Sequence, residues 1–160
     1  MPSLVRSSTI ERNREENILS GRPKVRSIPG RLATGAFILH AGTGKWNLPA
    51  ERATALHGMA AGAFPFLSKI PATTFAKLLS ASEVAIGAVL LSPFVRDRLA
   101  GAALTAFSGG LLTMYWRTPA LRKAGSIWPT PAGLPISKDV WMLGIGLALL
   151  ADALTDRKRS

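Results

Sequence analysis

What most constrains this chain is where its charges are missing. Between Arg52 and Asp139 the only acidic residues are Glu83 and Asp97, and the basic residues sit at the edges of long uncharged runs. Composition alone would not decide the fold class, because 48% apolar and 18% charged residues also suit a soluble domain. The distribution does decide it. Apolar runs bracketed by Arg, Lys, Trp and Tyr are expected of helices whose ends are held at lipid headgroups. A 160-residue soluble domain would have to hide three or four such runs at once. The expected fold is therefore all-α: a transmembrane four-helix bundle with one interfacial or re-entrant helix after the first span.

The spans are expected at about residues 28–46, 74–94, 99–116 and 139–154. The first has a short uncharged heart, Leu32–Gly44, and relies on Arg31 and Lys45 snorkelling outward from its ends. The stretch 53–68 is Ala-rich and contains His57, Gly58, Gly62 and Pro65, which favours a non-spanning helix. Ser92-Pro93 followed by Arg96, Asp97 and Arg98 reads as a tight turn. Tyr115 and Trp116 end the third span in an aromatic belt closed by Arg117. Residues 117–138 carry Pro119, Pro129, Pro131 and Pro135, a spacing that predicts a stiff loop and no helix.

Residues 1–27 read as a mostly flexible basic tail with room for a short helix around Ile10–Leu19, and residues 155–160 as a second basic tail. The tail lacks an apolar signal region, so insertion is expected to rely on the internal segments. Four spans place twelve of the twenty basic residues on the side of the two tails. The positive-inside rule then predicts a multi-pass protein of a bacterial-type plasma membrane, with both termini cytoplasmic.

Several chemistries are excluded. There is no cysteine, which removes disulfides, thiolate catalysis and Cys-based metal sites. The only histidines are His40 and His57, too few for a histidine-rich metal or haem site within one chain. The net charge of +11 raises nucleic-acid binding, but the basic residues bracket apolar runs and form no single stripe, so no nucleic-acid partner is expected. Thr43-Gly44-Lys45 looks like a piece of a phosphate loop, yet Leu39 and Trp46 stand where that motif needs Gly and Ser/Thr.

Glu83 is the most informative residue. A carboxylate at mid-membrane must be paired, protonated or beside water. Ala76, Ser80 and Gly87 share its helical face, which predicts packing against other helices. His40 is its expected partner: counted from each span's centre, the two lie within about 3 Å in depth. Ala33, Ala36 and Gly44 share the face of His40, Gly101, Thr105, Ser108 and Gly109 form a small face in the third span, and Gly144, Ala148 and Asp152 recur in the fourth. Such spacing suits close contact within the chain or between copies. The candidate intramembrane polar site is thus Glu83, His40 and Ser80, with Arg31, Lys45 and Arg117 as helix-end anchors. No Ser/His/Asp set is visible, and Glu83 and Asp97 are too far apart for an acid–base pair, so no activity is expected of the chain alone.

The order of these features resembles the DoxX-like family of small four-helix membrane proteins. The residues that carry the resemblance are Arg31-x3-Gly35 and Gly42-x2-Lys45, Glu83-x3-Gly87 with Leu90-Leu91, Ala100-Gly101 and Lys138-Asp139. It covers about residues 28–154. The family is named for a small subunit associated with a thiosulfate:quinone oxidoreductase, and most of its members have no assigned activity. The resemblance implies four spans with a non-spanning stretch after the first, and no catalytic residues. The basic tail and proline-rich loop depart from that pattern.

Three roles follow as expectations. The first is a non-catalytic accessory subunit of a membrane-associated, quinone-linked redox complex or of an envelope complex. The second is a small proton-linked carrier using a Glu83–His40 pair. The third is an anchor that recruits a cytosolic partner through its basic N-tail. The expected partners are the lipid bilayer, an oxidoreductase or other membrane subunits, and further copies of the chain. No cofactor is expected within the chain itself, and a quinone is the expected small-molecule contact.

Overall fold

Each uncharged run forms a helix, and the breaks fall at proline or at charge clusters. The computed structural model describes residues 23–156. The helices are α1 Ile28–Lys45, α2 Ala50–Ala63, α3 Ala72–Leu91, α4 Asp97–Arg117, a four-residue α5 Leu134–Ser137, and α6 Asp139–Asp156. Short 3₁₀ turns cover Val25–Ser27, Pro65–Lys69 and Pro119–Leu121. Among the described residues there is no β-strand, only an isolated bridge between Arg122 and Pro129. The expected helix around Ile10–Leu19 and the C-terminal basic tail beyond Asp156 lie outside the described residues.

Two helix pairs make up the bundle, and glycine sets their separation. In α1 against α3, an added Cβ on Gly42 would meet Glu83 Cβ at 2.9 Å, and one on Gly87 would meet the backbone nitrogen of Leu39 at 2.8 Å. In α4 against α6, a Cβ on Gly146 would meet the backbone nitrogen of Thr105 at 2.9 Å. Only glycine permits backbones this close. Ile38 and Leu90 from the first pair join Ala100, Leu104 and Leu149 from the second in one apolar core. A second cluster of Ala60, Ala63 and Met114 seats α2 beside α4.

Two helices are long and apolar enough to cross a membrane, Ala72–Leu91 and the continuous stretch Leu134–Thr155. That is two fewer than the sequence led us to expect. α1 and α4 have comparable lengths but are diluted by Gly, Ala and Thr, and they carry Arg31, Asp97 and Arg98. α2 ends at Phe64-Pro65, where proline stops the helix. Its fourteen residues reach about 21 Å, less than the ~30 Å of a bilayer core. His57 ties α2 to the turn that follows, with Nε2 2.9 Å from the carbonyl oxygen of Leu67.

The proline-rich loop is more ordered than its composition suggests. The backbone N–H groups of Lys123 and Thr130 donate to the carbonyls of Trp128 and Leu121, forming a small hairpin turned at Gly125, whose φ of 68° suits glycine. Pro135 corrects the expectation of a helix-free loop. It sits in the first turn of α5, where a missing N–H costs nothing.

Candidate functional site

The polar groups turn inward, and they do so in two clusters. The first is built on Arg31. The side chain is 3% exposed and uses every nitrogen of its guanidinium. Nε donates to the carbonyl of Leu90 (2.8 Å), Nη1 to Val95 O (2.8 Å) and Asp97 Oδ1 (2.7 Å), and Nη2 to Val89 O (3.0 Å) and Ser92 O (2.8 Å). Arg31 therefore caps the C-terminal end of α3, whose last carbonyls have no partner within the helix. Asp97 completes the charge and also accepts from Ser27 Oγ and the backbone N–H of Lys24. This runs against the snorkelling role expected of Arg31: its donors are spent on the end of α3, the turn after it and Asp97, not on headgroups. The same cluster docks residues 24–27 of the expected flexible tail, with Arg26 Nε 2.7 Å from Asp152 Oδ2 and Lys24 Nζ 3.1 Å from Asp152 O. Both ends of the described chain thus meet at one end of the bundle.

Arg117 acts in the same way on α2. Its Nη1 donates to the carbonyl of Ala63 at 2.9 Å, and its guanidinium lies 5.6 Å from the centre of the Phe64 ring. Like Arg31, it holds a helix end of its own chain.

The second cluster is the candidate site. Lys45 Nζ lies 2.8 Å from Glu83 Oε2 and donates at 3.1 Å to the carbonyl of Ala41. The lysine stem is thus turned back along α1 toward the bundle interior. Ser80, one turn from Glu83 on the same face, donates to the carbonyl of Gly42 at 2.7 Å and is fully buried. Ala76, Ser80, Glu83 and Gly87 all face inward, as their spacing predicted.

His40 is not brought to Glu83. It is exposed, together with Ala33, Ala36 and Gly44. The face of α1 that packs on α3 carries Arg31, Gly35, Ile38 and Gly42 instead. In α6, likewise, Gly144 and Ala148 point outward, and contact with α4 runs through Gly146 and Leu149.

Sequence reasoning missed Asp139. It opens α6, is 6% exposed, and stands close enough to Glu83 and Lys45 to feel both charges. Among the described residues nothing donates a hydrogen bond to its carboxylate. Lys45, Glu83 and Asp139 line one cavity of about 260 Å³, walled by Phe37, Leu56, Phe107 and Met114. The topology carried a signal for this: Lys45 ends α1 and Asp139 begins α6, so an up-and-down bundle puts them at the same end. The arrangement holds two carboxylates against one ammonium, beside apolar space.

No protein-family model, curated protein or solved structure matches the chain.

Proposed function

We propose that the chain is an integral membrane protein of the DoxX-like kind, with α1, α3, α4 and α6 as its four spans. On this reading it serves as an accessory subunit of a membrane-associated redox or envelope complex. The observation that carries the membrane reading is an inverted distribution of surface. The two most apolar helices are only 28% and 22% buried within the chain, whereas a soluble protein's core helix would be mostly buried. Leu32, Phe37, Leu78, Leu99, Leu147 and Val140 are at least half exposed, while Arg31, Glu83, Asp97 and Asp139 are buried. Lipid would cover the former and the bundle satisfies the latter.

α1 and α4 fit as spans because their buried ionic residues are paired inside, while Arg98 and Arg117 stand at the two ends of α4. Arg31 and Asp97 pair with each other, and Lys45 pairs with Glu83. All four tryptophans, Trp46, Trp116, Trp128 and Trp141, are exposed and follow the chain path to one end of the bundle, as an interfacial belt would require. The meeting of Lys24 and Arg26 with Asp152 at the other end suits an even number of crossings, with both termini cytoplasmic. Of the positions that carry the family resemblance, Arg31, Gly35, Gly42, Glu83, Gly87, Leu90, Ala100, Gly101 and Asp139 are buried, Lys45 and Leu91 are half-buried, and Lys138 is exposed.

The test is extraction of the tagged protein from its native membrane in mild detergent. An oxidoreductase or envelope protein recovered at fixed stoichiometry is the expected result. A pure single-chain preparation would contradict the accessory role. It would favour the proton-linked carrier, a reading that one observation supports on its own account: the carboxylate that Lys45 leaves unpaired. In that reading Asp139 and Glu83, and not His40, hold the proton.

A further inference from the structure

The cavity beneath α5 has an uneven set of partners. Lys45 donates to Glu83 Oε2 and to Ala41 O, and it is the only cation among the residues lining the space. Asp139 is only 6% exposed, faces that space, and accepts no hydrogen bond from any described residue. A carboxylate at the start of a helix gains from the helix dipole, but it would gain that as well if water reached it. The carboxylate oxygens of Asp139 are not sealed from solvent but reach the open cavity, where a ligand can supply the donor or counter-charge they lack. Lys45 attracts the carboxylate without a hydrogen bond, its donors going to Glu83 and Ala41, and the remaining walls supply neither. Phe37, Leu79, Phe107, Met114 and Met142 are apolar, although the two phenyl faces attract a cation.

We infer that this cavity is a binding site for a small amphipathic organic cation, an arylalkyl- or alkyl-ammonium. Its ammonium is held by Asp139 and its apolar body lies among the Phe, Leu and Met side chains. With both carboxylates ionised the charge fits: two carboxylates and one lysine leave one negative charge, and a monovalent ammonium brings the site to neutrality. The N–H donors fit as well, because Asp139 offers acceptors that no described residue uses. An anion would meet two carboxylates, and a neutral apolar molecule would leave Asp139 unsatisfied. The site is independent of the accessory role: a failure to recover partners leaves it standing, and a failure to bind amines leaves the membrane reading standing.

The experiment is titration of the purified full chain in detergent micelles with 2-phenylethylammonium, with 2-phenylethanol and 3-phenylpropionate as the neutral and anionic counterparts. Binding is read by calorimetry and by the rise in Tm. Saturable binding of the ammonium is expected, with affinity for the neutral and anionic counterparts weaker by about tenfold or more. Asp139→Asn keeps the shape and should weaken ammonium binding by about tenfold or more. Asp152→Asn, at the far end of the bundle, should leave it unchanged. The inference is overturned by the absence of saturable binding up to about 10 mM, a range that covers weak millimolar sites. Equal binding of 2-phenylethanol overturns it too, as does unchanged binding in a folded Asp139→Asn. The first of these outcomes would mean that a proton alone occupies the site.

Discussion

Replacing Arg31 should cost this bundle more than any other single polar substitution. Its guanidinium makes five hydrogen bonds, four of them to the carbonyls of Leu90, Val95, Val89 and Ser92 and one to Asp97. Arg31→Ala removes them all and leaves Asp97, 6% exposed, with Ser27 Oγ and the Lys24 amide as its donors among the described residues. Breaking a buried pair by removing one partner costs about 3–5 kcal/mol. The orphaned carbonyls would add to this, but they sit at a helix end that can shift toward water, so we expect about 3–5 kcal/mol in total. Arg31→Lys should recover little, because three donors cannot reach both the carbonyl cluster and Asp97 as the guanidinium's planar fork does. The assay is equilibrium unfolding in mixed micelles, following helicity as denaturing detergent is added. Asp97→Asn, alone and combined with Arg31→Ala, completes a double-mutant cycle. The two sites should couple by more than about 1 kcal/mol. A loss below about 1 kcal/mol for Arg31→Ala, or strict additivity with Asp97→Asn, would refute the buried cap and return Arg31 to the headgroups.

Three other perturbations separate this packing from its alternatives. Gly87→Ala and Gly146→Ala place a Cβ against the backbone of Leu39 and Thr105 and should each destabilise by about 1–3 kcal/mol in the same unfolding assay, whereas Gly44→Ala and Gly144→Ala meet open space and should be neutral or slightly stabilising. Glu83→Gln should destabilise by about 1–3 kcal/mol, with the lower values expected if the partly exposed Lys45 can turn to water, while His40→Ala should stay within about 0.5 kcal/mol; equal losses at both positions would restore the Glu83–His40 pair. Asp139→Asn should raise Tm by a few degrees, because burial and the repulsion from Glu83 outweigh the attraction of Lys45, and a fall in Tm would mean that Asp139 supports the fold and not a ligand.

The helices themselves were legible because uncharged runs and proline breaks are local. Phe64-Pro65 ends α2 inside the stretch 53–68 that was expected not to span, and Glu83 faces inward with Ala76 and Ser80 as its period required. Rotation about each helix axis was harder to read. α1 carries two faces of small residues, and nothing in composition alone chooses between Ala33-Ala36-His40-Gly44 and Gly35-Ile38-Gly42. The choice is made by Arg31 and Lys45. They fall on the second face at alternating four- and three-residue spacing (31, 35, 38, 42, 45), a seam pattern that places both cations where α3 can use them. The same ambiguity set α6 on Gly144 and not on Gly146. The snorkelling expected of the long basic side chains failed for a related reason. Snorkelling of Arg31 and Lys45 assumes that water or headgroups offer the nearest acceptors, but here the C-terminal carbonyls of α3 and the Glu83 carboxylate were closer. Asp139 was missed because its neighbours belong to helices distant in sequence. Only the closure of the bundle brings it to Lys45 and Glu83.

If the chain crosses a membrane as four spans, the Ser92–Arg96 turn and the Gly125 hairpin lie on opposite sides. Because there is no native cysteine, Phe94→Cys, at a position 86% exposed, and Ser126→Cys each supply a single thiol that an impermeant maleimide can label in sealed vesicles. We expect the thiol of Phe94→Cys to be labelled only from the cytoplasmic side and that of Ser126→Cys only from the other. Labelling of both variants from one side would contradict a four-span bundle, and labelling of both in a chain freely released from the membrane would contradict the membrane reading itself.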